Sequence, residues 1–256
     1  MRNVVLQKDA IHTGSLILVN REYPYQCAKP ADPIPLTQDA PQILLDRRAA
    51  VLLTELMQKI HGWSRIVPVS GWRSRTEQQD IFDGSLSQNG AEFTRKYVAL
   101  PGHSEHETGL AIDLGLKREG DEMDWIRPFF SYDGICRVFR TYAADYGFVE
   151  RYPAGKESVT GIGHEPWHFR YVGVPHAHIM QEKGLTLEEY LELLRDYPYG
   201  KRALHVQKDG LQAAVSYLRG DRGADVPLHL PSNLPISISG DNIDGFILTE
   251  WRGRYG

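Results

Sequence analysis

The sequence predicts an α+β protein: a small, mainly antiparallel sheet flanked by helices, followed by a β-rich C-terminal appendage. Candidate helices and strands interleave irregularly, without a βαβ period or an internal repeat. Of the 256 residues, 41% are apolar, which is enough for a packed core. From about Tyr199 onward, short β-rich pieces alternate with Gly, Asp and Pro turns. We therefore expect one domain over residues 1–198 and the appendage over residues 199–256.

The first predicted elements are a helix, a strand and a second helix. An apolar-periodic stretch over residues 43–60 predicts a helix with Asp39 as its N-cap. Residues 65–70 predict a strand, and Pro68 places that strand at an edge or an irregularity. Ser74 and the residue three positions later form a capping-box pattern, which predicts the start of a second helix.

A buried strand is predicted over residues 109–115, a short apolar run bounded by glycines. His106 lies seven residues before Asp113, and an odd separation on one straight strand would put their side chains on opposite faces. The chain must therefore bend between them, and Gly109 is the natural place.

The C-terminal half of the first domain should contain two further helices and a strand. Residues 134–146 predict a helix that ends at Gly147, and Thr186 caps another that ends before Pro198. Pro166 cannot donate to a sheet ladder, so the strand over residues 167–172 should begin after it. Glu165 would then precede the strand and lean over its end.

Two short segments, SEHETGLAID at residues 104–113 and EPWH at residues 165–168, offer the parts of a zinc peptidase. His106, Asp113 and His168 would supply two nitrogens and one oxygen as metal ligands, a set that suits Zn²⁺. Glu165, three residues before the last ligand, is a free carboxylate suited to act as the general base on water. His103 and His164 neighbour these residues and are interpreted as supporting or solvated side chains.

Composition excludes several classes of protein. The formal net charge is -4 and there is no basic block, so we expect no nucleic-acid partner. No apolar run approaches ~18 residues, so we expect no membrane span. The N-terminus lacks the apolar core of a signal peptide, and Cys27 and Cys136 are too few for a disulfide framework, so we expect a reducing cytoplasm with both thiols as packing residues. The oligomeric state is not determined by these patterns.

The pattern S-x-H-x-x-G-x-A-x-D followed by E-x-W-H resembles that of the zinc D-Ala-D-Ala carboxypeptidases and dipeptidases. A third block, SGWRS at residues 70–74 with Gln78 after it, is similar to a further segment of that family. The resemblance covers roughly residues 11–195 and is nearest to the vancomycin-resistance branch, in which D,D-dipeptidase and D,D-carboxypeptidase activities can share one polypeptide. It implies a zinc fold shared with Hedgehog signalling proteins and places the catalytic domain within residues 1–198. It also implies that Arg73 stabilises the oxyanion, and that Ser104 and Gln78 contact the substrate.

The resemblance further implies zinc-dependent hydrolysis of the terminal D-Ala-D-Ala bond, in free dipeptide, in the precursor pentapeptide or in both. Removing these molecules would favour cell-wall precursors with another terminus and hence glycopeptide resistance. Two alternatives are a lysin-type peptidoglycan L,D-endopeptidase and a non-enzymatic binding module on the same zinc fold. The absence of a recognisable wall-binding repeat disfavours the first, and the presence of Arg73 and Glu165 beside the three ligands disfavours the second.

Overall fold

The structure, a computed structural model, describes residues 2–27, 31–118, 124–220 and 223–252. The strands of this part of the chain are β1 (Arg2–Leu6), β2 (Ile34–Pro35), β3 (Leu44–Leu45), β4 (Ile66–Ser70), β5 (Ala111–Leu116), β6 (Phe148–Tyr152), β7 (Glu165–Tyr171), β8 (Leu204–Lys208), β9 (Leu211–Arg219), β10 (Val226–Leu230), β11 (Ile236–Gly240) and β12 (Gly245–Trp251). The helices are α1 (Arg47–Lys59), α2 (Arg75–Tyr97), α3 (Gly134–Ala143), α4 (Glu157–Thr160), α5 (His176–Lys183) and α6 (Leu187–Leu194), and 3-10 helices cover Lys8–His12, Gly62–Ser64, Glu105–Thr108 and Ala144–Tyr146. The α+β prediction is confirmed.

The chain divides into two compact units whose limits differ from the predicted boundary after residue 198. One unit comprises residues 1–18, 26–29 and 187–256, and the other comprises residues 19–25 and 30–186. Within the first unit, β1 pairs antiparallel with β10 along its whole length. Arg195, just after α6, forms an ion pair with Asp244 at 2.6 Å. The N-terminal strand and α6 therefore belong with the C-terminal strands, while the extent of the catalytic domain stays a prediction.

The second unit contains a four-stranded sheet in the order β4-β5-β7-β6, in which every neighbouring pair is antiparallel. β4 lies at one edge, and its pairing with β5 shifts register between Pro68 and Ser70. The prediction that Pro68 marks an edge strand is therefore confirmed. A proline is tolerated there because an edge strand leaves one side of its backbone without ladder bonds.

The prediction that Asp39 caps the first long helix is wrong. Asp46 is the N-cap of α1, and its carboxylate accepts hydrogen bonds from the backbone N–H groups of Arg48 and Ala49. The preceding residues form β3, which pairs with β2 instead of extending the helix. Apolar periodicity could not reveal this start because the competing pairing joins residues 44–45 to residues 34–35, which lie outside the periodic stretch.

α2 begins as predicted from its capping box. Ser74 accepts from the backbone of Glu77, and the Glu77 carboxylate accepts from the backbone N–H of Ser74 in return. The helical path is broken at Gly90, whose φ of 79° lies in the left-handed region. The predicted helix over residues 134–146 is also confirmed, as α3 and the 3-10 helix that follows it, with Gly147 at a φ of 81°.

β7 begins at Glu165, so the prediction that the strand starts after Pro166 is wrong. β5 pairs with β7 only at residues 168–170, so Pro166 faces no ladder partner on that side. On the other side the pairing shifts register: Glu150 lies opposite Phe169, but Tyr152 lies opposite Glu165. A strand can therefore pass through the proline because the ladder is already irregular there.

The C-terminal strands confirm the β-rich prediction for that part of the chain. They form an antiparallel sheet in the order β11-β12-β9-β8. A cluster of buried apolar side chains packs in this unit and comprises Leu6, Leu228, Leu230, Phe246 and Leu248. Among the residues described by the structure, no helix combines the length and the apolar character needed to cross a membrane.

Candidate metal and catalytic site

The antiparallel pairing of β5 and β7 brings two of the predicted ligands together. Asp113 lies directly opposite His168 in the register of these strands. His106 reaches them from the 3-10 helix before β5, and Gly109 ends that helix with a φ of 74°. The predicted bend at Gly109 is thus confirmed, and it removes the parity conflict between His106 and Asp113.

His106, Asp113 and His168 converge on one point, and all three are buried. Nε2 of His106 lies 3.2 Å from Oδ2 of Asp113, and Nδ1 of His168 lies 2.9 Å from Oδ1. The two imidazole rings meet edge to face, with centroids 4.9 Å apart. Two imidazole nitrogens and a carboxylate oxygen form a donor set that fits Zn²⁺.

The hydrogen bonds of His106 decide which of its nitrogens faces the cluster. Nδ1 lies 2.6 Å from the carbonyl oxygen of Gly71, so it must carry the hydrogen that is donated. Nε2 is then left with the lone pair that a metal requires. Burial, together with the charge of Arg73, lowers the pKa of His106 to about 4, so the ring is neutral at physiological pH.

His168 lies between two carboxylates. Its Nδ1 faces Asp113, while Nε2 lies 3.6 Å from Oε2 of Glu105. Burial lowers the pKa of His168, but the contacts with Asp113, Glu105 and Glu165 outweigh it and raise the pKa to about 9. For the carboxyl of Asp113 burial acts in the opposite direction and would raise the pKa. The contacts with His106 and His168 outweigh burial and hold the pKa of Asp113 well below its usual range. Each of these ionisable groups therefore strongly shifts the pKa values of its neighbours, as groups at functional sites often do.

Glu165 lies beside the cluster, with a carboxylate oxygen 3.9 Å from Nδ1 of His168. It is 5% exposed. Its pKa is raised to about 8, mainly by burial. The negative charges of Asp113 and Glu105 also raise this pKa, whereas the positive charges of His168 and Arg73 lower it. A carboxyl group with a pKa near neutrality can both accept and return a proton, as general acid–base catalysis requires.

Arg73 enters the same site from the segment after β4. One Nη of its guanidinium lies 3.4 Å from Oδ2 of Asp113, and the other donates to Oε1 of Gln78 at 2.9 Å. Gln78 is buried, and its amide nitrogen donates to the carbonyl of Ala99 at 2.8 Å. Gln78 therefore holds Arg73 in place, and its predicted contact with substrate stays a prediction.

A cavity of about 410 Å³ opens onto these residues. It is lined by all seven predicted site residues: Arg73, Gln78, Ser104, His106, Asp113, Glu165 and His168. Trp125, which is 71% exposed, and the buried Tyr152 also line it. The volume falls within the usual range for sites that bind small molecules.

The other candidate groups are engaged elsewhere. Nδ1 of His103 lies 2.8 Å from the carbonyl of Asn20, and Nε2 of His164 lies 2.7 Å from the hydroxyl of Tyr132. Neither belongs to the metal-binding cluster. Cys27 and Cys136 are free thiols, and Cys136 is buried on α3, as expected of a packing residue.

The sequence interpretation missed Glu105 and its two arginine partners. Glu105 forms ion pairs with Arg151 at 2.8 Å and with Arg170 at 2.7 Å, and all three side chains are fully buried. Glu105 was present within the predicted motif. The signal that could have found its partners is the single arginine in each of two otherwise largely apolar strands, β6 and β7.

The chain is similar to one family model and to several known proteins. The model of the VanY family, described as D-alanyl-D-alanine carboxypeptidase, matches residues 42–174. The bifunctional D-Ala-D-Ala dipeptidase and carboxypeptidase VanXYC of Enterococcus gallinarum is 47% identical over 126 residues, which are 49% of this chain and 66% of that protein, just under two thirds of its length. A D-alanyl-D-alanine carboxypeptidase of Enterococcus faecium is 33% identical over 267 residues, covering 97% of this chain and 78% of the relative.

Solved structures extend the likeness to the whole fold. The vancomycin-resistance D,D-dipeptidase VanXYg, in complex with a D-Ala-D-Ala phosphinate analogue, superposes with a TM-score of 0.94 at 47% identity, covering 98% of this chain and 99% of the other. The D,D-pentapeptidase VanY from a VanB-type resistance cassette, in complex with Zn(II), has a TM-score of 0.56 at 30% identity, covering 69% and 98%.

Proposed function

The chain belongs to the VanY family of D-alanyl-D-alanine carboxypeptidases, and we propose that it uses zinc to hydrolyse the terminal D-Ala-D-Ala bond of small peptides. The substrates proposed are the free dipeptide and the peptidoglycan precursor pentapeptide. Support for both comes from the phosphinate analogue bound by VanXYg and from the two activities named for VanXYC.

His106, Asp113 and His168 would hold the zinc ion. The buried set of two imidazoles and one carboxylate fits Zn²⁺, and the Gly71 carbonyl already leaves Nε2 of His106 with its lone pair. When bound, zinc supplies a Lewis acid that polarises the scissile carbonyl and acidifies water.

Glu165 would act as general base and then as general acid. Its carboxylate takes a proton from the attacking water as the oxygen bonds to the carbonyl carbon. It returns that proton to the leaving amine as the C–N bond breaks, which releases D-Ala. The observation that carries this role is a buried carboxyl that lies 3.9 Å from Nδ1 of His168 and lines the same cavity as the ligand cluster.

Arg73 would stabilise the negative charge that develops on the carbonyl oxygen. Its guanidinium is held by Gln78 and lies at the edge of the ligand cluster, so it needs little reorganisation when the charge forms. Ser104, which lines the cavity, is proposed to contact the substrate. For Gln78 we propose orientation of Arg73 in addition to the contact with substrate inferred from the sequence.

The direct test is hydrolysis of three substrates by the zinc-loaded protein, with all products identified by mass: D-Ala-D-Ala, the precursor pentapeptide and a cross-bridge fragment. The proposal expects turnover of the first, the second or both, and none of the third. Glu165→Gln serves as the matched inactive control because it keeps the size of the side chain. Cleavage of the cross-bridge fragment alone would contradict the proposal and favour the endopeptidase alternative.

An L,D-carboxypeptidase activity is the second candidate. The LdcB LD-carboxypeptidase has a TM-score of 0.57 at 34% identity, covering 68% of this chain and 84% of the other. A precursor tetrapeptide that ends in an L,D bond distinguishes the two activities. Turnover of the tetrapeptide without turnover of either D-Ala-D-Ala substrate would replace the D,D-peptidase proposal.

The proposed place of action is the cytoplasm, and the proposed role is glycopeptide resistance. Free dipeptide and soluble precursor are both made inside the cell, and removing them favours precursors that end in another group. Cell fractionation with detection of the protein tests the location. Recovery in the extracellular fraction of intact cells would contradict it. In a susceptible host that has also been given synthesis of the resistant precursor, the native chain should confer resistance. The variant Glu165→Gln should not.

A further inference from the structure

Next to the ligand cluster lies a group of three fully buried charged side chains that the proposed reaction does not use. Glu105 precedes His106 on the 3-10 helix, Arg151 is on β6, and Arg170 is on β7. Both arginines contact the same oxygen of the glutamate: Nε of Arg151 lies 2.8 Å from Oε1, and Nη1 of Arg170 lies 2.7 Å from it. We refer to these three residues as the buried ion triad.

Stability alone does not account for the buried ion triad. Removing charges from water is costly, and apolar residues of similar volume often stabilise a fold as well as a buried ion pair does. Here one carboxylate faces two guanidinium groups, so the triad buries an excess of positive charge. Such an arrangement has a better explanation if the carboxylate has a further task.

The second oxygen of Glu105 faces one of the proposed metal ligands. Arg151 donates a hydrogen bond to Oε1, and Arg170 forms an ion pair with the same oxygen. Oε2 lies 3.6 Å from Nε2 of His168. Within the described part of the chain, neither Oε2 nor Nε2 has a hydrogen-bond partner, and both atoms are buried. The opposite side of the same ring, Nδ1, faces Asp113.

We propose that Glu105, held by Arg151 and Arg170, is a positioning residue that orients His168 for metal binding. This inference rests on the metal site proposed above. The carboxylate faces the Nε2 hydrogen, so the proton stays on that nitrogen and Nδ1 turns its lone pair to the metal position. Carboxylates behind histidine ligands commonly act in this way, by fixing the tautomer and ring orientation and by increasing ligand basicity.

The two histidine ligands would then be oriented by different means. His106 is oriented by a neutral backbone carbonyl, that of Gly71, and through its Nδ1. His168 is oriented by a charged side chain and through its Nε2. The ring of His168 also packs beside Tyr152, with centroids 4.9 Å apart. Loss of the Glu105 carboxylate should therefore affect His168 selectively.

The test compares the double variant Glu105→Gln/Arg151→Met with the single variant Arg151→Met. Glu105→Gln alone would remove the carboxylate from beside two buried guanidinium groups. The double variant keeps one buried excess positive charge, as in the native triad, but lacks the carboxylate. The single variant keeps the carboxylate and its contact with Arg170. Zinc affinity is measured by competition with a chromophoric chelator, and the ligand field by the absorption spectrum of the cobalt-substituted protein.

We expect the double variant to bind zinc about 10–100-fold more weakly than Arg151→Met, with a changed cobalt spectrum. A merely structural role would lower the unfolding temperature and leave the affinity and the spectrum alone. Zinc affinity within threefold of Arg151→Met, with the same cobalt spectrum, would overturn the inference.

Two further variants keep the test decisive. If the double variant does not fold, Glu105→Asp keeps the charge for the arginines and withdraws the carboxylate by one methylene. At least tenfold weaker zinc binding is expected for it, and native affinity would contradict the proposal. His168→Ala is measured in parallel. If His168→Ala retains zinc, the proposed metal site is wrong. If His168→Ala loses zinc but the variant without the Glu105 carboxylate binds it normally, only the role of Glu105 is wrong.

Discussion

The two antiparallel four-stranded sheets of this chain bury different kinds of side chain. In the sheet of β4 to β7, the central strands β5 and β7 bury Asp113, Glu165 and His168. In the C-terminal sheet, the central strands β9 and β12 bury mainly apolar residues, such as Val215 and Leu248.

The C-terminal unit also contains buried polar groups, but hydrogen bonds within the protein account for them. Oδ1 of Asp241 accepts from three successive backbone N–H groups in the turn between β11 and β12. Asp244 pairs with Arg195 and accepts from the hydroxyl of Tyr217. These contacts stabilise a turn, whereas the charges between β5 and β7 converge on a point suited to a cation. Buried charge thus indicates a functional site where the charged groups converge on a point that hydrogen bonds within the fold do not account for.

The largest effect should come from the ligands themselves. His106→Ala and His168→Ala should lose zinc and activity, with losses of affinity beyond the about 10–100-fold typical of supporting residues. Metal analysis of the purified protein should give near one equivalent of zinc in the native chain and little in either variant. Full retention of zinc in both variants would show that these residues are not the ligands. The sheet of β4 to β7 would then no longer differ from the C-terminal sheet in carrying the metal site.

Glu165→Gln should lower kcat by about 10²–10⁴ because the general base is lost. Zinc content should stay near one equivalent, since Glu165 is not among the proposed ligands. Steady-state kinetics on D-Ala-D-Ala measures the effect. Activity within a few-fold of native would show that another group activates water.

Arg73→Ala should lower kcat by about 10²–10³ with zinc retained, because a donor to the developing oxyanion is removed. The separate values of kcat and KM are informative here. A rise in KM with native kcat would mean that Arg73 binds the ground state and transition state equally. The role in oxyanion stabilisation would then be wrong.

In the C-terminal unit, Leu248→Ala should lower the free energy of unfolding by about 2–5 kcal/mol, because it leaves a cavity in a well-packed core. Leu248 is fully buried within the apolar cluster of that unit. Zinc content and kcat of the folded protein should be unchanged. Denaturant unfolding followed by tryptophan fluorescence and by zinc release measures both. Loss of zinc from the folded variant would show that the C-terminal core supports the metal site.

The last prediction is a pH-dependent effect on a buried histidine outside the ligand cluster. Burial lowers the pKa of His176 on α5 to about 3, from an ordinary value of 6.5. As pH falls below 6.5, the unfolded chain binds a proton that the folded protein resists, so stability present above 6.5 is lost progressively toward pH 3. His176→Gln should show a smaller loss of stability than the native protein over that range. Parallel pH profiles of the two proteins would contradict it.

Local sequence patterns were sufficient to predict the parts of the fold and site that depend on neighbouring residues. The capping box of Ser74 and the bend at Gly109 are local events, decided within a few residues by hydrogen bonding and backbone conformation. The ligand and base candidates followed from residue chemistry and spacing, and the family resemblance added Arg73, Ser104 and Gln78.

Tertiary structure alone decided the features that join distant segments. β1 pairs with β10 across more than 200 residues, so no local pattern could show that the two ends of the chain share a unit. Glu105 meets Arg151 across 46 positions of sequence. Periodicity and propensity report only the preferences of a short segment, whereas strand pairing and buried ion contacts depend on which distant segments pack together.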